Sequence, residues 1–321
     1  MNPITLADLE AASELIYQIM PPTPQYSWPL LNEQYGREIW VKHENHTPTG
    51  AFKVRGGIVL MHHLKHERPD LRGIISATRG NHGQSLATSA KRHGLDCTIV
   101  VPFGNSVEKN AAMRAQGATL VEFGEDFDTA RDYAVELSKE RGLEYISTFR
   151  RELIAGVGTY ALELFRGAPP LDAVYVPIGS GSGICGLMAA RDALNLKTRI
   201  IGVVSENFPA WQRAFQSGQT VTTGPAYSIA DGVATRGVMA PSLALVKAGA
   251  ADVITVSEAE IEAAMVALYT CTHNVAEGAG AVALAGAAKH AQAGERVGVI
   301  FSGGNIDAQP FAKVLLAHSA A

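Results

Sequence analysis

The sequence predicts an α/β protein built on mostly parallel β-sheets, and three observations carry that expectation. Apolar runs of strand length alternate with segments of helical periodicity almost to the C-terminus. The runs are near-continuous Val and Ile, the pattern of strands covered by helices on both faces. Glycine-containing turns follow several of them, and in such sheets ligands collect at the carboxyl ends of strands.

The expected strands are, in order, EIWVKHE (38–44), GIISAT (73–78), DCTIVVP (96–102), ATLVEF (118–123), DAVYVPI (172–178), RIIGVVS (199–205), DVITVS (252–257) and RVGVIFS (296–302). Helical patterns lie between them, among them LATSAKRHG, SVEKNAAMRAQG, DFDTARDYAVELSKERG and SEAEIEAAMVALYTCTHN. The last opens on Ser257 with Glu260 three residues on, a spacing that lets each side chain satisfy the other's free backbone amide.

Of the 321 residues, 47% are hydrophobic, enough for one long domain or two shorter ones. Lys and Arg total 27 against 31 Asp and Glu, a balance that points to neither a nucleic-acid nor a membrane surface. The start, MNPITLADLEAASELI, lacks a basic segment leading into an apolar one, so a cytoplasmic protein is expected. Cys97, Cys185 and Cys271 are few, odd in number and far apart, which suits reduced core fillers better than disulfides or a zinc site.

The turn after the 172–178 strand reads GSGSGICG (179–186) and runs into a helix. Its glycines let the backbone approach an anion closely, and the helix N-terminus supplies free amides, so phosphate binding is favoured over a bare tight turn. Gly181, Gly183 and Gly186 also spell G-x-G-x-x-G, with Glu206 at the end of the next strand, so a dinucleotide remains open at this point. The discriminating group is Lys53, just past Gly50 and Ala51 at the start of a helix. A lysine partly desolvated there has its charged form disfavoured and serves as an amine nucleophile toward a carbonyl cofactor; taken alone, it reads as an exposed helix lysine, and its context raises the other reading. A second polar turn, SATRGNHGQS (76–85), crowds Arg79, Asn81 and His82 between glycines at another strand-to-helix junction.

TGAFKVRGG, TRGNHGQS, PIGSGSGICG, SIADGVATRG, EGAGAVALAGA and FSGGNID occur in the order seen in fold-type II pyridoxal-phosphate enzymes, and the chain resembles the threonine/serine dehydratase and serine racemase family from about Thr23 to Asp307. The resemblance implies a tryptophan synthase beta-like fold of two three-layer α/β/α domains. The larger, cofactor-binding one would comprise residues 1–47 and 149–321, with a smaller one, 48–148, inserted. It implies pyridoxal 5'-phosphate as cofactor, an amino acid as small-molecule substrate, a homodimer, and β-elimination of water from a β-hydroxy-α-amino acid to a 2-oxo acid and ammonia. A racemase or β-replacement synthase of the same fold is the rival; a nicotinamide-dependent oxidoreductase is the rival from another class.

Carried over residue by residue, the resemblance gives Lys53 the Schiff base with the cofactor and the removal of the substrate α-proton. Phe52 packs by the ring and Asn81 bonds its phenolic oxygen. Gly179, Ser180, Gly181, Ser182 and Gly183 hold the phosphate, and Ser302 faces the pyridine nitrogen. Thr78, Arg79, Gly80, Asn81 and His82 receive the substrate carboxylate. A neutral hydroxyl at Ser302 makes the cofactor a weaker electron sink, which suits elimination and not transamination. His82 and Glu277 have plainer readings too, as a satisfied turn histidine and a helix-capping carboxylate, and Asn81 as a turn former.

The sequence departs from the family at Arg79, where Ser or Ala is usual. In the racemase-like branch a serine there is the second acid/base, a part a guanidinium cannot play near neutrality. Arg150 and Arg151 also stand where acidic or amide residues are common; they read as solvated turn residues unless they face the pocket, where they would favour a substrate with a second anion such as 3-hydroxyaspartate. Glu206 matches a cation ligand of that branch, but Trp211 and Gln212 replace the acids expected nearby, and no metal is expected. With Ala321 soon after the last strand, a regulatory domain is not expected. Tyr26 and Trp28 read as core or interface residues, or as walls for a bulky substrate of the phenylserine type.

Overall fold

The computed structural model describes residues 2–318. In chain order the strands are β1 (Gln25–Ser27), β2 (Ile39–His43), β3 (Gly73–Ala77), β4 (Asp96–Val101), β5 (Thr119–Glu122), β6 (Glu144–Tyr145), β7 (Ala173–Pro177), β8 (Arg199–Ser205), β9 (Asp252–Val256) and β10 (Val297–Phe301). The helices are α1 (Leu6–Tyr17), α2 (Pro29–Tyr35), α3 (Lys53–Glu67), α4 (Asn81–Arg92), α5 (Val107–Ala115), α6 (Phe127–Arg141), α7 (Arg151–Gly167), α8 (Ser182–Ala193), α9 (Ala210–Ser217), α10 (Ala240–Gly249), α11 (Glu258–Thr272), α12 (Gly278–His290) and α13 (Ala308–His318).

The strands form two sheets, one ordered β1-β2-β10-β7-β8-β9 and the other β5-β4-β3-β6. Every pairing is parallel except β1 with β2. Each sheet is covered on both faces, which is why β3, β7 and β10 are buried at every residue. On the large sheet, one core gathers Val157 and Leu164 of α7 with Leu187 of α8, and the opposite one gathers Met265 of α11 with Leu284 of α12. On the small sheet, Leu60, Leu86 and Met113 cover one face while Ala130, Ala134 and Leu137 of α6 cover the other. The eight expected strands all occur; β1 and β6 are additional, too short to carry a periodic signal.

Local chemistry sets the helix starts. Ser257 and Glu260 form the expected reciprocal cap on α11, Thr5 and Asp8 form another on α1, and Ser106 and Asp126 cap α5 and α6. Helix α7 lies against α8 backbone to backbone: a Cβ on Gly186 would stand 2.8 Å from Gly158 N, so the third glycine of the G-x-G-x-x-G pattern serves helix packing.

Three expectations need adjustment. Cys97 and Cys185 are buried, but Cys271 is half-buried with its thiol on the Gln34 side-chain carbonyl at 3.2 Å. Tyr26 is not core: it is 51% exposed and stands edge-on to Trp28. Trp28 is half-buried and donates its Nε1–H to Nε2 of the buried His43 at 3.0 Å. No helix among the described residues is long and apolar enough to cross a membrane.

Because His43 Nε2 accepts that hydrogen bond, the imidazole is held neutral; burial, and then the neighbouring His46, lower it to about 4 from 6.5. Its folded value is depressed, so its contribution to stability is present above pH 6.5 and is lost as pH falls through 4. At ~1.4 kcal/mol per unit that contribution is about 3 kcal/mol. Urea denaturation from pH 7.5 to 4.5 should show this loss in the parent and a shallower pH dependence in His43→Gln.

Candidate active site

The carboxyl ends of β2, β3, β7 and β10 converge on one cleft. Strand β10 pairs with β2 in a register that sets Phe301 opposite His43, so Ser302 leaves the sheet beside the turn Glu44–His46. The segment before α3 is then stitched to the end of β10: the Phe52 amide donates to the Ser302 carbonyl at 3.0 Å, Gly304 N–H to the Gly50 carbonyl at 2.9 Å, and Ala51 bridges Gly303. These bonds place Lys53 next to Ser302, although 249 positions separate them in the chain.

The glycine turn after β7 closes the same cleft. Gly181 caps α8 with φ +101°, a conformation open to glycine, and no side chain caps the helix. The first amides of α8 have no partner within the helix and are available to an anion. Ser182 and Gly183 are buried, while Gly179 and Ser180 are half-buried. A Cβ on Gly183 would touch the Phe52 ring at 3.5 Å; Tyr160 donates its hydroxyl to the Gly183 carbonyl at 3.1 Å and stands edge-on to Phe52. Trp211, buried, donates Nε1–H to the Gly179 carbonyl at 2.6 Å. Where an acid was expected, the chain thus has a tryptophan bracing the glycine turn, and Glu206 lies exposed on the turn after β8.

Lys53 Nζ lies 4.5 Å from the centre of the Phe52 ring, and its backbone carbonyl accepts from Ser85 Oγ at 2.6 Å. Burial lowers its amine to about 8, against the opposing pull of the Glu277 carboxylate. About a tenth of the amine is therefore free near pH 7, and the exposed-lysine reading fails.

Asn81 and His82 begin α4. Asn81 donates Nδ2–H to Glu277 at 2.6 Å and accepts from Asn305 Nδ2 at 2.9 Å, so it is more than a turn former. His82 is no satisfied turn histidine: it is buried, Nε2 has no partner among the described residues, and burial plus the Lys53 charge lower it to about 3. Glu277 is the N-cap residue of α12 but its carboxylate does not cap the helix. It turns into the cleft, where burial pushes its carboxyl up while Lys109, 3.4 Å away, holds it down. Thr78 and Gly80 are buried, with the Gly80 amide on Thr78 Oγ at 3.1 Å; Arg79 is exposed, its carbonyl taken by Asn105 at 3.2 Å. Arg150 pairs with Glu144 and Glu152, and Arg151 with Asp8, away from this cluster.

What holds α3 in place was not anticipated from the sequence. Arg55, fully buried two residues after Lys53, pairs with Glu44 and Glu163 at 2.7 Å each and donates to Thr159 Oγ at 3.0 Å. Lys42, also buried, reaches Glu163 at 2.6 Å and the Thr23 carbonyl at 2.8 Å. Two cations thus face two anions. Burial would raise Glu163, but Arg55 and Lys42 hold it below the usual carboxylate range. The available signal was Lys42 and Glu44 at the end of an otherwise apolar strand and Arg55 inside a buried helix.

An amine near neutrality, a ring-packing phenylalanine, unpaired helix-start amides and a neutral hydroxyl at the end of β10 together fit pyridoxal phosphate. The family model described as pyridoxal-phosphate dependent enzyme matches residues 16–303. The chain belongs to that family. This pyridoxal-phosphate enzyme is 32% identical over 314 residues to the L-threonine ammonia-lyase of Thermotoga maritima, covering 97% of this chain and 78% of that one. It is also 32% identical to the L-threo-3-hydroxyaspartate ammonia-lyase of Saccharomyces cerevisiae, covering 97% and 96%. The processed form of threonine deaminase isoform 2 from Solanum lycopersicum superposes with a TM-score of 0.91 at 30% identity, over 98% of this chain and 88% of that one. Among the rivals for the glycine turn, the family excludes the dinucleotide.

Removing Arg55 leaves the buried Glu44 carboxylate without a cation and Glu163 with Lys42 alone. Arg55→Met should lower unfolding free energy by about 3–5 kcal/mol in denaturant titrations, whereas Lys53→Ala should leave stability within about 1 kcal/mol and abolish turnover.

Proposed function

We propose that this pyridoxal-phosphate enzyme is an ammonia-lyase that eliminates water from a β-hydroxy-α-amino acid, giving a 2-oxo acid and ammonia. The observation that carries the reading is Lys53: an amine lowered to about 8, stitched beside Ser302 and facing the glycine turn. The bound cofactor supplies the electron withdrawal that makes the substrate α-proton acidic. The chain supplies the rest.

Lys53 takes the α-proton as a base whose value sits close to working pH. Phe52 and Asn81 position the ring, and the amides and hydroxyls of Gly179, Ser180, Gly181, Ser182 and Gly183 bind the phosphate. The Ser302 hydroxyl, which here donates to the Ala279 carbonyl at 3.2 Å, would turn its hydrogen to the pyridine nitrogen when the cofactor is bound; as a neutral donor it would not hold a proton on the ring, which suits elimination. The α4 start, with Thr78, Gly80, Asn81 and His82, receives the substrate carboxylate through backbone amides and the helix dipole.

The proposed domains are a small one, 48–148, around the four-stranded sheet and a large one, 1–47 and 149–321, around the six-stranded sheet, with the cofactor site between them. A cytoplasmic homodimer is the proposed assembly. The racemase alternative lacks its second acid/base, because Arg79 stands where that hydroxyl would be and its guanidinium stays protonated. Arg79 is exposed at the edge of the carboxylate-binding turn, and no ion pair to it exists among the described residues. It is therefore free to receive a second substrate carboxylate, as in 3-hydroxyaspartate; threonine and phenylserine carry none.

Ammonia release from L-threonine, L-serine, phenylserine and L-threo-3-hydroxyaspartate tests both levels. Turnover of at least one with no D-amino acid formed is expected, and release from none would refute the reaction. Arg79→Ser should raise KM for the hydroxyaspartate about tenfold, the loss of one charge-assisted hydrogen bond, and leave threonine within about twofold.

A further inference from the structure

Lys109 is a group the proposed chemistry does not use. It belongs to α5, beside the small sheet, yet it is buried and its stem lies over Gly80, where a Cβ would come within 2.6 Å of Lys109 Cδ. Its ammonium crosses to the other side of the cleft, reaching Asp231 at 2.7 Å and Glu277 at 3.4 Å. Glu277 Oε2 has no hydrogen bond of its own among the described residues, so that ammonium is its nearest compensation.

The contact sits in a row of bonds that join the two sheets' surroundings along one rim. Ser106 donates to Asp307, Glu108 accepts from the Ala308 amide at 2.9 Å, and Arg236 pairs with Asp126 at 3.0 Å and with Asp128. A movement that separated the two sides of the cleft along this rim would break this row and withdraw Lys109 from Glu277.

We propose that Lys109 is a positioning residue that, only while the cleft is shut, holds the Glu277 carboxyl as an anion against Asn81 and Lys53. The inference rests on the reading that Lys53 is the base. The groups facing Glu277 are Lys53 from α3, Asn81 from α4, Lys109 from α5 and Asp231 from the 3-10 turn Asp231–Val233, with His82 beside Lys53. His82 is neutral, so the charges that matter are two ammonium groups and one competing carboxylate.

An anionic Glu277 does two things. It accepts the Asn81 amide hydrogen at 2.6 Å, which fixes the amide with its oxygen toward Asn305. It also stabilises the Lys53 ammonium once the α-proton has been taken, so proton abstraction is favoured in the shut state and disfavoured in the open one. With Lys109 withdrawn, only Lys53 and the Asn81 amide oppose burial and Asp231 at Glu277, so its carboxyl takes up a proton more readily and both functions weaken.

The test uses holoenzyme of the parent, Lys109→Met, Lys109→Arg and Asp231→Asn. Titration of Glu277 is read by the protonated-carboxyl stretch in infrared difference spectra against Glu277→Gln, alongside the pH profile of kcat for L-threonine and L-threo-3-hydroxyaspartate. Lys109→Met should raise the carboxyl midpoint by about one unit or more and move the acid limb of kcat with it. Asp231→Asn, which leaves Lys109 to Glu277 alone, should lower both, and Lys109→Arg should restore the parent values. An unchanged midpoint in Lys109→Met, or the same direction of shift in Lys109→Met and Asp231→Asn, overturns the proposal; if Lys109→Met does not fold, Asp231→Asn and Lys109→Arg decide it. Absence of ammonia release by the parent would instead count against the elimination reading, since the carboxyl titration is read without turnover.

Discussion

The structure depends on the buried ionic cluster of Arg55, Glu44, Glu163 and Lys42. Taking four charges out of water costs several kcal/mol per ion, and only near-complete pairing offsets it. Here the pairing is close to complete: the guanidinium donates to both carboxylates and to Thr23 and Thr159, and Lys42 adds a second cation on Glu163. An apolar cluster of the same volume would be as stable or more so, so stability does not explain it. What the cluster adds is direction. Arg55 is two residues from Lys53 on α3, Glu44 follows β2 and Glu163 is on α7, so the start of α3 is fixed in rotation and height against the large sheet.

From that anchor the chemistry of the cleft follows. Lys53 is brought to the carboxyl ends of β2 and β10, out of bulk water and over an aromatic ring, and burial weakens its hold on a proton. Glu277 opposes that shift without cancelling it, because its own carboxyl is buried and compensated from 3.4 Å by Lys109. The amine near neutrality is therefore a balance between desolvation and one carboxylate whose charge is shared across the cleft. The glycine turn makes a different contribution. Braced by Trp211 and Tyr160 from outside, it presents bare helix-start amides inward, a neutral way to hold a phosphate that leaves the local charge to Lys53 and Glu277.

Much of this was legible in the sequence, and for identifiable reasons. Buried parallel strands write themselves as Val and Ile runs, so all eight long strands were visible, whereas β1 and β6 contain three and two residues and leave no period. Lys53, the glycine turn and Ser302 sit in short motifs at strand ends, where local sequence and position in the fold coincide. Contacts made by single residues far apart in the chain were not legible: Arg55 with Glu163, Lys109 with Asp231, Asn81 with Glu277. His82 shows the limit most clearly, since a histidine between glycines reads as a turn residue, and only packing reveals that one nitrogen is buried without a partner among the described residues.

The measurement that bears most directly on this account is borohydride reduction of the holoenzyme followed by peptide mass mapping. A single pyridoxyl group on the peptide containing Lys53 is the predicted result, because Lys53 combines a lowered amine value with a place beside Ser302 and the glycine turn. Labelling of another lysine, such as the paired Lys42 or Lys109, or the absence of any fixed label, would contradict the assignment on which the rest is built.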